Sequence, residues 1–175
     1  MTAPPTSGPS PDGHVAPALL LGGFAAAISV GAIYALVVEL QERTNFPTWG
    51  LGLLTTTTFA AGFVAQITLA PYSDRGHAKQ VVVISLVLAA AGSAWIGFAD
   101  SLWQLALART LIGLGFGGYF PTVRGIAVGD GRLGVAERVG RFNAVAVAGF
   151  LIGPPYAAIV AQQFGLASPF LLRLL

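Results

Sequence analysis

The stretch Ala70-Pro71-Tyr72-Ser73-Asp74-Arg75-Gly76-His77-Ala78-Lys79 decides how this chain folds, because it gathers charges and turn formers between two long apolar runs. Trp49 to Ala70 is 22 residues without a charge, and Val81 to Ala99 is 19 more. At about 1.5 Å of rise per residue, each run crosses roughly 30 Å of hydrocarbon as a helix. Two spans joined by so short a polar segment form a hairpin.

The whole composition agrees with that local reading. Of 175 residues, 55% are hydrophobic and 9% charged, and the mean hydropathy is +0.76. Soluble domains carry about 25% charged residues, so this is an integral membrane protein. The net charge of +2 does not point to nucleic acid, since the nine basic residues are scattered and no basic helix face appears. Cysteine is absent, and two histidines, His14 and His77, do not make a metal centre. No cofactor is indicated. Residues 1–17, rich in Pro, Ser, Thr and Gly and free of Lys and Arg, lack the basic start of a cleavable signal peptide. They read as a disordered, non-cleaved tail.

Outward from the hairpin, three further spans and the start of a fourth are expected. Ala18 to Val38 is uncharged over 21 residues, with Gly22, Gly23 and Gly31 as packing positions and Tyr34 as its one polar aromatic. Glu39, Glu42 and Arg43 follow at headgroup level, and Thr48 and Trp49 suggest an N-cap and an interfacial anchor. After Asp100, Ser101-Leu-Trp-Gln104 fits a capping box that opens a span over Leu102 to Val123. Arg109 lies about 10 Å inside that span, too deep for a loop charge. The connection from Arg124 to Arg141 predicts a short amphipathic piece along the membrane surface, with Asp130, Glu137 and Arg138 as solvated charges. Phe142 to Phe164 is a fifth span of 23 residues, and Ser168-Pro169 opens a sixth helix cut off at Leu175. That ending predicts a fragment or an early-terminated product.

Orientation follows from the basic residues. The connections after spans two and four hold Arg75, Lys79, Arg124, Arg132, Arg138 and Arg141, whereas those after spans one, three and five hold Arg43. Six against one places the N-terminus and both basic connections in the cytoplasm, in a cell (inner) membrane.

Three patterns in register with these spans resemble the major facilitator superfamily of secondary transporters, over about Ala18 to Leu175. The loop consensus Gly-x-Leu-Ala-Asp-Arg-x-Gly-Arg-Lys is matched by Asp74, Arg75 and Lys79, with Ala70, Tyr72, Ser73, His77 and Ala78 as departures. The resemblance implies a cytoplasmic latch between two halves; a charged turn obeying the positive-inside rule is the other reading. Arg109-Thr-Leu-Ile-Gly113-Leu-Gly115-Phe-Gly117-Gly118 resembles the fourth-span motif Arg-x-x-Gln-Gly-x-Gly, with Ile112 in place of Gln. Arg109, Gly113 and Gly117 share one helix face at i, i+4 and i+8. The resemblance gives Arg109 a part in proton coupling; a structural arginine bonded to backbone carbonyls is the alternative. Gly140, Gly149, Gly153 and Pro154 resemble the fifth-span motif of the antiporter branches, with Ala157-Ala158 replacing its last glycines. Gly149, Gly153, Ala157 and Ala161 form a smooth stripe beside a strained Pro154, a hinge or merely a packing face.

The expected protein is thus an all-α membrane bundle of five transmembrane helices and the start of a sixth. Residues 18–175 form the N-terminal half of a major-facilitator-type exporter of small organic molecules, coupled to protons. Its partners are substrate, lipid and a missing C-terminal half, and that half's absence means no transport by the 175-residue chain alone. The alternative is a non-transporting assembly subunit whose small-residue faces are oligomer contacts. No constellation of nucleophile, acid and base suggests an enzyme.

Overall fold

The computed structural model describes residues 17–129 and 134–164, and five long helices account for nearly all of them. These are α1 (Pro17–Thr44), α2 (Trp49–Tyr72), α3 (Ala78–Phe98), α4 (Leu102–Gly129) and α5 (Val135–Phe164). The tail, His14, Asp130, Arg132, Arg173 and the sixth helix expected from Ser168 lie outside the described residues.

The hairpin between α2 and α3 is made by a wide turn, Ser73–His77, in which Arg75 and Gly76 leave helical backbone. Gly76 has φ +91°, a left-handed conformation that side chains disfavour. The glycine this turn needs stands at Gly76, which is why the next position tolerates His77. The His77 ring stacks on Tyr72 at 4.3 Å and 19°. At the other end of the bundle, Asn45 closes α1 at φ 49°, as a helix C-cap does. There Arg43 donates to the Gly97 carbonyl at 3.2 Å and pairs with Asp100 at 3.1 Å, tying the α1–α2 and α3–α4 connections to one side. The capping box forms with a shift. The Gln104 amide N–H donates to Ser101 Oγ, but the Gln104 side chain accepts from the N–H of Asp100 rather than Ser101.

The connection expected to lie along the membrane surface is different. α4 continues to Gly129 and α5 starts at Val135, so both helices run straight past the ends of their apolar stretches. Hydropathy marks where lipid ends, whereas backbone hydrogen bonding carries a helix on into water. Glu137 thus sits exposed in the first turn of α5.

The bundle is organised around α4, which packs against α2 on one side and α3 on the other, while α1 pairs with α5. Four helices, α1, α2, α3 and α5, contain stretches long and apolar enough to cross a membrane. The 28-residue α4, interrupted by Arg109, falls outside that group. It needs less apolar surface because protein covers it: between Leu105 and Val123 only Leu107 is exposed. The core runs through Leu36, Leu54, Ile96, Leu105 and Ile112, with a second cluster around Tyr119, Val123 and Phe142.

Glycine sets these distances. A Cβ on Gly113 or Gly117 would collide with the backbone carbonyls of Thr58 or Gly62 in α2. On the opposite face a Cβ at Gly92 of α3 would sit 2.6 Å from the Ala108 carbonyl oxygen. The stripe on α5 meets α1 in the same way, since a Cβ on Gly149 would lie 2.6 Å from the Phe24 carbonyl oxygen and one on Gly153 2.7 Å from that of Ile28. Gly140, by contrast, has open space around it and is no packing position.

Gly117→Ala is expected to destabilise the bundle by about 1–3 kcal/mol through overpacking against α2. Gly52→Ala, with nothing within 4 Å of its Cβ, should instead gain about 0.5–1 kcal/mol of helix propensity. Unfolding in mixed micelles followed by circular dichroism compares the two; equal effects would remove the close-approach account.

Candidate functional site

Arg109 is the deepest charge among the described residues, 4% exposed on the face of α4 that turns towards α1 and α2. Its Nε and Nη1 are buried and have no hydrogen-bond partner among the described residues. The Tyr34 hydroxyl of α1 faces the guanidinium. Neither of these two nitrogens bonds a backbone carbonyl among the described residues.

Two cavities meet at this pair. The larger, about 600 Å³, runs from Arg109 and Tyr34 past Gly113, Gly117, Phe63, Phe116 and Phe120 to Arg124. The smaller, about 200 Å³, lies on the other side of the same two residues and is walled by Leu40, Leu51, Leu54, Ile96 and Leu105. Arg109 and Tyr34 therefore stand as a partition between a roomy aromatic chamber and a tight aliphatic one. A volume of 600 Å³ suits a drug-sized organic molecule.

Each part of the site has a local cause. Gly113 and Gly117 draw α2 against α4, so the chamber wall beside Arg109 is backbone and small side chains instead of bulk. At the far end Arg124 donates from Nε and Nη2 to Asn143 Oδ1 of α5, at 3.3 and 3.1 Å. Tyr119 donates its hydroxyl to the Leu19 carbonyl at 2.5 Å, and its ring leans on Phe120 and Phe142. These bonds join the α1–α5 pair to the α2–α4–α3 group. Thr55, Thr57 and Thr58 each donate to a carbonyl three or four residues earlier in α2.

The candidate residues fall into three places. Arg109, Gly113 and Gly117 share the chamber. Asp74, Arg75 and Lys79 are exposed on or beside the α2–α3 turn, facing outward. Gly149, Gly153 and Pro154 lie against α1, with Pro154 touching the face opened by Gly31. Helix α5 stays continuous through Pro154 and Pro155. Because the stripes of α4 and α5 are consumed inside the chain, they are not free to serve as oligomer contacts.

Sequence reasoning overlooked Arg124 and Asn143, which counted only as a connection charge and a span residue. Tyr34 carried a usable signal, being the only hydroxyl-bearing aromatic in an otherwise apolar span.

Comparison with known proteins fits this geometry. The family model described as Major Facilitator Superfamily matches residues 19–174. The chain belongs to the Major Facilitator Superfamily. It is a multi-pass membrane protein with that superfamily's helical architecture. Similar proteins include multidrug resistance protein MdtG of Proteus mirabilis (strain HI4320), 28% identical over 151 residues, covering 85% of this chain and 37% of that protein. MdtG of Rahnella sp. (strain Y9602) is 28% identical over 139 residues, covering 79% of this chain and 33% of its own length. MdtG of Salmonella arizonae is 24% identical over 144 residues, 81% of this chain and 36% of the relative. The chain thus spans about a third of the curated superfamily members it matches.

Replacing Arg109 by Met should raise stability by about 1–3 kcal/mol, since it removes a buried cation whose donors are unpaired. Thermal unfolding in detergent measures it. A large loss instead would mean that the guanidinium holds the helices together.

Proposed function

We propose that residues 18–175 act as the N-terminal half of a proton-coupled exporter of small organic molecules that works by alternating access in the cell (inner) membrane. The observation that carries this reading is the buried Arg109, two of its nitrogens without a partner among the described residues, standing between two cavities on the α1–α2–α4 face. A charged group is kept inside a membrane protein where ions or substrates pass. The multidrug resistance relatives favour export, and rocking one half against a second of like architecture would open each cavity in turn.

The residue roles follow their places. Arg109, with Gly113 and Gly117 behind it, is the coupling and pathway element. Asp74, Arg75 and Lys79, exposed beside the α2–α3 turn, form the latch, where a carboxylate and two cations can meet helix ends or acids of the second half. The Gly149, Gly153 and Pro154 segment is the hinge, its smooth small-residue face lying closely on α1. The six-to-one distribution of basic residues puts the N-terminus and the latch in the cytoplasm.

The absence of native cysteine allows a direct test. Phe63 borders the larger cavity and is 63% exposed, whereas Val87 is 61% exposed on α3 and borders none of the described cavities. In membrane vesicles, Phe63→Cys should react with a membrane-impermeant maleimide and Val87→Cys should not. Equal protection of both would mean that the chamber is a packed or lipid-filled face, and the transport reading would fail.

A further inference from the structure

Arg109 borders a chamber whose lining supplies it no counter-charge. The described acids, Glu39, Glu42, Asp74, Asp100 and Glu137, are all exposed, and none borders any of the cavities around Arg109 and Arg124. The larger chamber is bounded by Arg109 at one end and Arg124 at the other, about 22 Å apart along α4 by helical rise. Between them its wall is aromatic, with Phe63, Phe116 and Phe120. Arg124 is already engaged with Asn143, whereas Nε and Nη1 of Arg109 are buried with no hydrogen-bond partner among the described residues.

Resting on the transport reading, we infer that the chamber selects amphipathic organic anions: a carboxylate docks on the Arg109 guanidinium while the apolar body lies along the phenylalanines. A guanidinium has five N–H donors in a planar fork that matches a carboxylate, and such pairs are the strong hydrogen bonds of protein interiors. Away from bulk water the gain grows, because low polarity strengthens the attraction and an unpaired cation is costly. Arg124 at the other end adds a field that draws anions inward. A lipophilic cation meets the reverse: two guanidinium groups, against which stand only the aromatic faces and the neutral polar groups of Tyr34, Thr58 and Gln66 in the lining.

Three probes that share one aromatic body test this: naphthaleneacetate, its uncharged amide, and naphthylethylammonium. Each is titrated by fluorescence into the chain held in zwitterionic lipid nanodiscs, with empty discs subtracted. The acetate should bind at least about tenfold more tightly than the amide, the ratio expected for one charge-assisted pair, and the ammonium most weakly. Arg109→Gln should abolish the acetate preference, with residual amide binding reporting that the chamber is still formed. Arg109→Lys should retain part of the preference. The inference is overturned if the ammonium binds as tightly as the acetate, if no acetate binding is seen, or if Arg109→Gln keeps the preference. The ratio on the unaltered chain alone can overturn it, whatever the variants do. The maleimide pattern at Phe63→Cys separates the two readings: a water-accessible chamber without anion preference removes this inference and leaves the transport reading. Anion preference in a chain whose Phe63→Cys is protected does the opposite.

Discussion

The close backbone contact of α4 with both of its neighbours is the constraint on which the remaining structure depends. In lipid, helices gain nothing by hiding apolar side chains from one another, so they associate through dispersion contacts that require near approach. Gly113 and Gly117 allow it towards α2, and Gly115 with Gly92 allows it towards α3. Helix α4 is thereby held on two opposite sides. The third side, which carries Arg109, borders the two cavities described above.

The charges are distributed according to what each can reach. At one end Arg43 is shared between Gly97 and Asp100 in a half-exposed pair. Such pairs contribute about 0–1 kcal/mol and serve more to align two connections than to hold the fold. At the other end Arg124 finds Asn143, and Asp74, Arg75 and Lys79 face water. Arg109 is buried, with no hydrogen-bond partner at two of its nitrogens among the described residues. A buried guanidinium with two unpartnered nitrogens costs stability, and cavities border it on two sides. Its retention is intelligible where a ligand or a moving proton completes the pairing.

Much of this was legible from the chain itself, and the reasons are specific. Apolar runs of about 20 residues have one inexpensive conformation in a bilayer, so the helices were expected where they stand. Gly76 and the charges around it marked the α2–α3 turn, and Ser101 with Gln104 marked the start of α4. The connection after α4 was misread because hydropathy reports the lipid boundary and not the end of hydrogen bonding. Arg109 and its glycines were legible as a constellation, but the lack of a partner was not, because partners come from other helices. Tyr34 is 75 residues away in the chain, and nothing local links it to Arg109.

What the amino-acid sequence determined by itself is therefore what depends on neighbours along the chain: span positions, turn residues, the sign of each connection, and the small-residue periodicity that declares a packing face. Only the tertiary structure decided which face met which. It set α2 and α3 on opposite sides of α4, laid the α5 stripe on α1, and left Arg109 and Tyr34 between two cavities. The physical reason is that a glycine stripe is equally smooth to any helix. The choice among partners is made by the sum of contacts over the whole bundle, and a cavity is what remains where that sum leaves space.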